Sequence, residues 1–400
     1  MSDSLPERNG VGAYYADLIA QLDDHGVVST FLCPGGDLPP GLRFPLPGDS
    51  TQQVYLPPVR AFGRAIRAAR PDVIVVATPG PYGMLGVRWA RKLGIRLIVG
   101  FHTDYAGVTD LYRNSILRVL SRSYFRHADR MLFRRADHVL ANSAKMVDQA
   151  RRMGARHVSR IGTLLPKTVL ETPVRASSGR FERVLFAGRL APEKRLETVL
   201  EAAEKLPDLG FVIAGDGPLK DLVEGAAARL QNLEYTGWLS RAGLLHQMDQ
   251  ADALVLPSRF ESFGNVALEA MGRQRIVAVT RTCGIVNWPA LAKRLVVFDL
   301  DQPLHEVLSM VRDWSAADRR LWAEGTRLAA RDLNRRSLDQ WLRILNPGSG
   351  QRAEPEDIAS TDGVARCNAD GKLDGGAHCS DGFEDRPGTG RPDETAPGGR

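Results

Sequence analysis

Short apolar runs alternate with amphipathic stretches along most of this chain, and that alternation narrows its possible folds more than any other feature. In the first half the runs are Val27–Leu32, Val73–Ala77, Leu97–Phe101 and His138–Ala141. Helical patterns lie between them at Ala13–Leu22, Val59–Ala69 and Ser115–Arg135. In the second half the runs are Val184–Phe186, Phe211–Ala214, Ala253–Leu256, Ile276–Val279 and Leu295–Phe298. Strands that are apolar on both sides belong in parallel sheets covered by helices on both faces. The pattern breaks at Leu165–Gly179, where Pro166, Pro173, Ser177, Ser178 and Gly179 cluster. At 400 residues the chain exceeds one compact core. The expectation is an α/β protein of two doubly wound, Rossmann-like domains, residues 1–170 and 180–335, then a helix at 336–346. Residues 347–400 are rich in Gly, Pro, Asp, Glu and Ser, lack periodicity and read as a disordered tail.

Within this frame the most informative stretch is Glu261-Ser-Phe-Gly-Asn-Val-Ala-Leu-Glu269, directly after the run Ala253–Leu256. Ala267 to Met271 reads as the start of a helix. A strand end, a Gly-containing turn and a new helix form the place where α/β proteins put ligand chemistry. Two acids there can accept hydrogen bonds from two sets of hydroxyls, as on the sugar and the ribose of a nucleotide-sugar. The same acids also suit an ordinary helix start, where the dipole favours negative charge.

Three further segments carry candidate chemistry. Phe186-Ala-Gly188-Arg189-Leu-Ala-Pro192-Glu-Lys194 follows a strand and sets two cations beside a helix start, a plausible diphosphate clamp or a loop with two solvated bases. Ile213-Ala-Gly215-Asp216-Gly217-Pro218 is a second glycine turn. It is no dinucleotide fingerprint, because Lys220 stands where the third glycine belongs. Tyr235-Thr-Gly237-Trp238 fits a nucleobase wall or core, with core favoured.

Taken in order, G-R-L-x-P-E-K, then I-A-G-D-G-P, then L-V-L-P-S-x-x-E-S-F-G-N-x-x-L-E-A-M resembles the family-4 nucleotide-sugar glycosyltransferases of GT-B fold. The resemblance covers roughly residues 9–345. It implies two domains facing a cleft and retaining transfer of a hexose from a nucleoside-diphosphate sugar. Arg189 and Lys194 would bind the diphosphate, Glu261 the donor sugar with help from Phe263 and Gly264, and Glu269 the ribose. His102, in Phe101-His102-Thr-Asp104, would sit near the acceptor and reacting sugar as a catalytic group. Asn9-Gly10-Val-Gly12 resembles the glycine loop that meets the donor phosphates when the domains close. Cations that stabilise the leaving diphosphate make a metal unnecessary, so no cofactor is expected. The D-x-D match Asp299-Leu-Asp301 is not favoured as a metal site.

Two departures stand out. Family members open with a buried strand before the glycine loop, whereas only eight polar residues precede Asn9. The first strand of the first sheet is therefore expected to be missing and the start to lie upstream of Met1, which the upstream codons would test. The family also continues after Glu269 with Gly-x-Pro, where this chain has Gln274-Arg275-Ile276.

The charge is lopsided. Residues 1–175 carry 24 Lys/Arg against 14 Asp/Glu, and the remainder 29 against 33. Arg118, Arg122, Arg126, Arg130 and Arg134 recur every four residues, with Ile116, Leu117, Leu120, Tyr124 and Phe125 among them. This slanting stripe suits either an anionic membrane surface or plain solvent. The partners expected are a nucleotide-sugar, a glycan or lipid acceptor and an anionic membrane, with no nucleic-acid module. Cys33, Cys283, Cys367 and Cys379 are scattered without zinc spacing, which points to a reducing compartment. No apolar run reaches membrane-spanning length. The location expected is cytoplasmic, with peripheral contact on the inner membrane face. The competing readings are a nucleotide-sugar epimerase and an inactive sugar-nucleotide-binding homologue.

Overall fold

A computed structural model describes residues 1–3, 10–36, 38–39, 41–46, 49–102 and 115–346. The first half runs α1 (Gly10–Asp23), a hairpin of β1 (Arg43–Leu46) and β2 (Asp49–Tyr55), α2 (Val59–Ala69), β3 (Val73–Val76), α3 (Pro81–Leu93) and β4 (Arg96–Phe101). It continues with α4 (Ser115–Arg135), β5 (His138–Ala141), α5 (Ala144–Arg152), β6 (Val158–Arg160) and the short α6 (Lys167–Glu171). The second half comprises β7 (Arg183–Ala187), α7 (Leu196–Lys205), β8 (Gly210–Ala214), α8 (Lys220–Arg229), β9 (Leu233–Gly237), α9 (Arg241–Gln250) and β10 (Ala253–Leu256). After these come α10 (Asn265–Gly272), β11 (Ile276–Thr280), α11 (Pro289–Ala292), β12 (Val296–Phe298), α12 (Leu304–Asp313) and α13 (Ala316–Leu345).

Two parallel sheets organise this chain, in the orders β3-β4-β5-β6 and β12-β11-β10-β7-β8-β9. Every residue of β10 and β11 is buried, as befits central parallel strands that read as unbroken apolar runs. In the second sheet the strand order reverses between the parallel neighbours β10 and β7, and such a switch point opens a crevice at the strand carboxyl ends. In the first sheet, Met1 bonds to Val75 O through its amino group and accepts from Ala77 N, along the edge of β3 that faces away from β4. Ser2 N donates to Leu32 O. The Asp3 carboxylate accepts from Thr78 Oγ1, Gly80 N and Tyr82 N at 2.5–3.1 Å, so it caps the start of α3.

The structure corrects several expectations. Val27–Leu32 is not a strand. The hairpin and the strands β6 and β9 were not expected; they carry polar or charged residues and give no unbroken apolar signal. The separate helix at 336–346 is instead the end of α13, a single 30-residue helix. Gly10 and Gly12 lie in the first turn of α1 rather than in a loop. The tail 347–400 lies outside the described residues.

Helix α13 ties the halves together. It packs first along α10 and then against α1. Trp341, fully buried, donates through Nε1 to Tyr14 Oη at 2.7 Å. Arg96 donates to Ile344 O at 2.5 Å.

Candidate active site

The loop after β7 turns at Gly188, whose φ of 154° favours glycine. The loop after β8 lies hard against it: a Cβ on Gly215 would meet Gly188 O at 1.8 Å, and one on Gly217 would meet Leu190 O at 2.5 Å. Leu190 N also bonds to Asp216 O at 2.9 Å. The Gly-Asp-Gly turn is thus a brace for the loop that carries Arg189. Arg189 itself is half-buried. A single 3-10 turn, Pro192–Lys194, then aims Lys194 at the loop after β10, where its Nζ ion-pairs with Glu261 Oε2. The side chains are 15% and 20% exposed. Burial favours a neutral Lys194, but the charge and hydrogen bond of Glu261 outweigh it and raise its pKa. Arg259 N to Glu193 O at 2.8 Å joins the two loops a second time.

Beyond Glu261 the chain is held by Gly284 N to Glu261 O at 2.9 Å and Ile285 N to Phe263 O at 2.8 Å. The Phe263 side chain is buried. Gly264, at φ 100°, forms the N-cap of α10. Glu269 lies on that helix, and burial pushes its carboxyl up to about 7, with Arg241 opposing and Asp17 adding.

The first sheet supplies the facing wall. His102 follows β4, and its Nε2 lies 2.9 Å from Tyr15 Oη. Gly100 permits this approach, since a Cβ there would fall 2.1 Å from that hydroxyl. The Tyr14 ring packs 4.7 Å from the imidazole, and Asn142 Nδ2 donates to His102 O at 3.1 Å. Burial lowers the His102 pKa to about 4, so the ring is neutral near pH 7.

Among the described residues several contacts join the two halves here. Arg241 on α9 pairs with Asp17 on α1 through both guanidinium nitrogens, Nη2 to Oδ2 at 2.8 Å and Nη1 to Oδ1. Asn265 Nδ2 donates to Gly10 O at 3.4 Å. Trp288 Nε1 donates to Asn142 O at 3.2 Å. Arg160 stacks 3.7 Å over the Trp288 ring and donates to Asn287 O at 2.7 Å.

The structure thus gathers Lys194, Glu261, Phe263, Gly264 and Glu269 on one wall, with Gly10 opposite α10 and His102 on the facing sheet. Asn9 and Asp104 lie outside the described residues. Trp238 is 58% exposed and is not core. Tyr235 instead braces Gly215 O through its hydroxyl at 3.0 Å. Asp299 pairs with Arg281 on the surface at 2.8 Å. Along α4, Arg126, Arg130 and Arg134 are exposed and Arg122 is half-buried, while the Arg118 side chain lies outside the described residues. Among the described residues no helix is long and apolar enough to cross a membrane. Cys33 and Cys283 are buried. Sequence reasoning missed Tyr15, Asp17, Arg160, Arg241 and Trp288, whose partners lie far away in the chain.

Comparison with known proteins follows the same division into halves. Residues 8–163 match the family model described as Glycosyltransferase Family 4, and residues 172–294 match Glycosyl transferases group 1. The chain belongs to the group 1, family-4-like glycosyltransferases. It is 31% identical over 211 residues to a GDP-mannose-dependent alpha-mannosyltransferase of Mycolicibacterium smegmatis, covering 52% of this chain and 55% of that one. It is 29% identical over 205 residues to the alpha-D-kanosaminyltransferase of Streptomyces kanamyceticus, covering 46% and 53%. The chain thus spans about half the length of these two relatives. Among solved structures, sucrose-phosphate synthase from Thermosynechococcus elongatus superposes with a TM-score of 0.64 at 17% identity, covering 85% of this chain and 94% of that one. WaaG, a glycosyltransferase involved in lipopolysaccharide biosynthesis, gives 0.60 at 15%, covering 87% and 98%. At such identities the likeness concerns the fold, which is GT-B.

Proposed function

We propose that this protein is a retaining glycosyltransferase that moves a hexose from a nucleoside-diphosphate sugar to a glycan or lipid acceptor. The observation that carries the reading is the Lys194–Glu261 pair beyond the carboxyl ends of β7 and β10, with Glu269 on the helix that follows and next to the Arg241–Asp17 pair from the first half. Arg189 and Lys194 neutralise the diphosphate as the anomeric C–O bond breaks and charge builds on the leaving oxygen. The first-turn N–H groups of α1, at Gly10 and Gly12, add donors for the same phosphates. Glu261, already oriented by Lys194, accepts from the sugar hydroxyls beside the backbone of Phe263 and Gly264. Glu269 accepts from the ribose. The neutral imidazole of His102 hydrogen-bonds the sugar or takes the acceptor proton.

Retention of configuration comes from the family resemblance. With two cations at the diphosphate, the proposed mechanism uses no metal. The exposed arginines of α4 are assigned to an anionic membrane surface, which gives a cytoplasmic enzyme peripheral on the inner membrane face.

A thermal-shift screen of nucleotide-sugars, followed by acceptor-dependent transfer with the best ligand, tests the reading. Lys194→Ala and Glu261→Ala should each lower kcat/KM at least a hundredfold while keeping the wild-type circular dichroism spectrum. Undiminished transfer in either variant, or donor turnover that needs no acceptor, would refute it.

A further inference from the structure

Away from the cleft, the first half carries a cavity of about 760 Å³, and nothing in the transfer reading uses it. It lies between the β1–β2 hairpin, α2 and α3, lined chiefly by Leu42, Leu56, Val59, Met84, Leu85 and Arg88. Its volume falls within the roughly 300–1,000 Å³ of small-molecule sites, but its lining offers little beyond aliphatic carbon. Leu42 and Val59, at 75% and 60% exposure, leave apolar surface in water at its mouth. A ligand for such a cavity is a hydrocarbon chain.

The surroundings say what such a chain is attached to. Arg60, Arg64 and Arg67 on α2 and Arg88, Arg91 and Lys92 on α3 are all exposed, and neither helix contains an acid. Helix α4 packs against α3 and adds Arg126, Arg130 and Arg134. Its one acid, Asp129, is buried, while Val119, Leu120 and Tyr124 are exposed. Strands β3, β4 and β5 are parallel and adjacent in order, so right-handed crossovers put α3 and α4 on one face of the sheet. The face is cationic, and exposed Val59, Val119 and Leu120 lie near helix N-termini, at the carboxyl end of the sheet where His102 follows β4.

We propose that this cavity seats an acyl chain of an anionic phospholipid, and that α2, α3 and α4 lie on the surface of the bilayer that supplies it. One inserted chain gives only marginal membrane binding, and stable docking needs a second signal. Exposed Lys and Arg near an anionic leaflet contribute about 1 kcal/mol each, so the cationic rim is that signal. The inference rests on the membrane assignment proposed above for α4 and deepens it, and it stands whether or not the protein transfers sugar.

Flotation of the full chain with phosphatidylglycerol vesicles, against phosphatidylcholine vesicles, tests it. The protein should float with the first and not the second, and about 0.5 M salt should weaken the association severalfold by shortening the screening length. Leu42→Asp and Val59→Asp replace exposed side chains and should keep the wild-type melting temperature. Each should lower partitioning at least tenfold and abolish the fluorescence enhancement of dansyl-undecanoic acid. Arg60→Glu with Arg88→Glu should lower flotation but spare the dansyl probe. Glu261→Ala should float like wild type, which separates this inference from the transfer reading. Phosphatidylglycerol binding that is unchanged in the two Asp variants, or equal binding to phosphatidylcholine, would overturn it. So would a concentration-dependent dimer in sedimentation that Leu42→Asp dissolves, because a second copy would then occupy the cavity.

Discussion

At the residue scale, the wall that carries Lys194, Glu261 and Glu269 shows what spacing can and cannot encode. Lys194 and Glu261 were legible because each follows a strand end by a few positions, and strand ends converge in a parallel sheet; Glu269 was legible as part of the helix that continues the same loop. Tyr15 and Asp17 were not, since their partners His102 and Arg241 lie 87 and 224 positions away. Two of those distant residues also act on a legible one. Burial raises Glu269 from an ordinary 4.5 to about 7; Arg241 opposes the rise and Asp17, the smallest of the three influences, adds to it. A carboxyl whose folded value is raised binds more protons folded than unfolded between those two values, so its ionisation opposes folding as pH rises. The cost is absent below about 4.5 and fully present above about 7, where it reaches about 3 kcal/mol at most. Glu269→Gln should therefore raise the melting temperature of the ligand-free protein at about pH 8 and leave it unchanged at about pH 4. If the ionised carboxylate receives the ribose, nucleotide binding should release a proton near pH 7 and release none well above it. Calorimetry in buffers of different ionisation enthalpy reads this directly. No proton release at either pH would remove Glu269 from the ribose site.

At the element scale, continuous apolar runs located most parallel strands, because a strand buried on both faces has no polar side to disguise it. The failures follow from the same rule. Strand β6 is only Val-Ser-Arg and β9 is Leu-Glu-Tyr-Thr-Gly, so neither shows an apolar run. Val27–Leu32 has the run but is not a strand. The departure at Gln274-Arg275, where the family resemblance leads one to expect Gly-x-Pro, also has a structural counterpart. Gln274 takes the left-handed conformation at φ 63° that glycine usually serves. Buried Arg273 and Arg275 flank it. Arg273 binds Asp249 through two bonds of 2.7–2.9 Å and reaches the carbonyls of Thr172 and Pro173 at 2.7–2.8 Å. Arg275 donates to Ala251 O at 3.0 Å and also bonds to Arg175 O. These guanidinium groups clamp the segment that leads from the first sheet to the second, and the Pro and Ser cluster shows nothing of this. Arg273→Ala would leave Asp249 with only the longer Arg275 pair, at 3.9 Å, and two carbonyls unmet. It should cost about 3–5 kcal/mol, seen as a drop in the urea midpoint, and proteolysis should begin near Thr172. An unchanged midpoint would mean that the clamp does not hold the segment.

At the scale of the whole molecule, two sheets with separate cores must stay in register for loops from both to share one ligand. The Pro and Ser cluster near Gly179 separates the two sheets in sequence, but one helix joins them. Helix α13 begins on the second half, where Thr326 bonds to Arg275 O at 3.2 Å, and ends in the first, where Trp341 is fully buried against Tyr14. Between these points Asn334 accepts from Leu165 N at 2.7 Å and donates to Gln21 Oε1 at 3.0 Å, fixing α1 and the connecting segment to the same helix. Tyr14 and Tyr15 are adjacent on α1, and both touch His102, so the Trp341 contact lies one residue from the imidazole's own partner. Trp341→Ala removes a large buried side chain and leaves the Tyr14 hydroxyl without its donor, a loss of about 3–5 kcal/mol. The loss falls on the first half, whereas the second keeps its own core. Thermal unfolding should therefore split into two steps, with the second close to the wild-type transition and the first well below it. Hydrogen exchange should show faster opening in α1 and β4 than in β10 and β11. Trp341→Phe, which keeps most of the ring volume and loses only the donor, should retain a single transition lowered by about 1–2 kcal/mol. A single cooperative transition in Trp341→Ala would instead mean that the cross-cleft pairs Asp17–Arg241 and Trp288–Asn142 couple the halves without the helix.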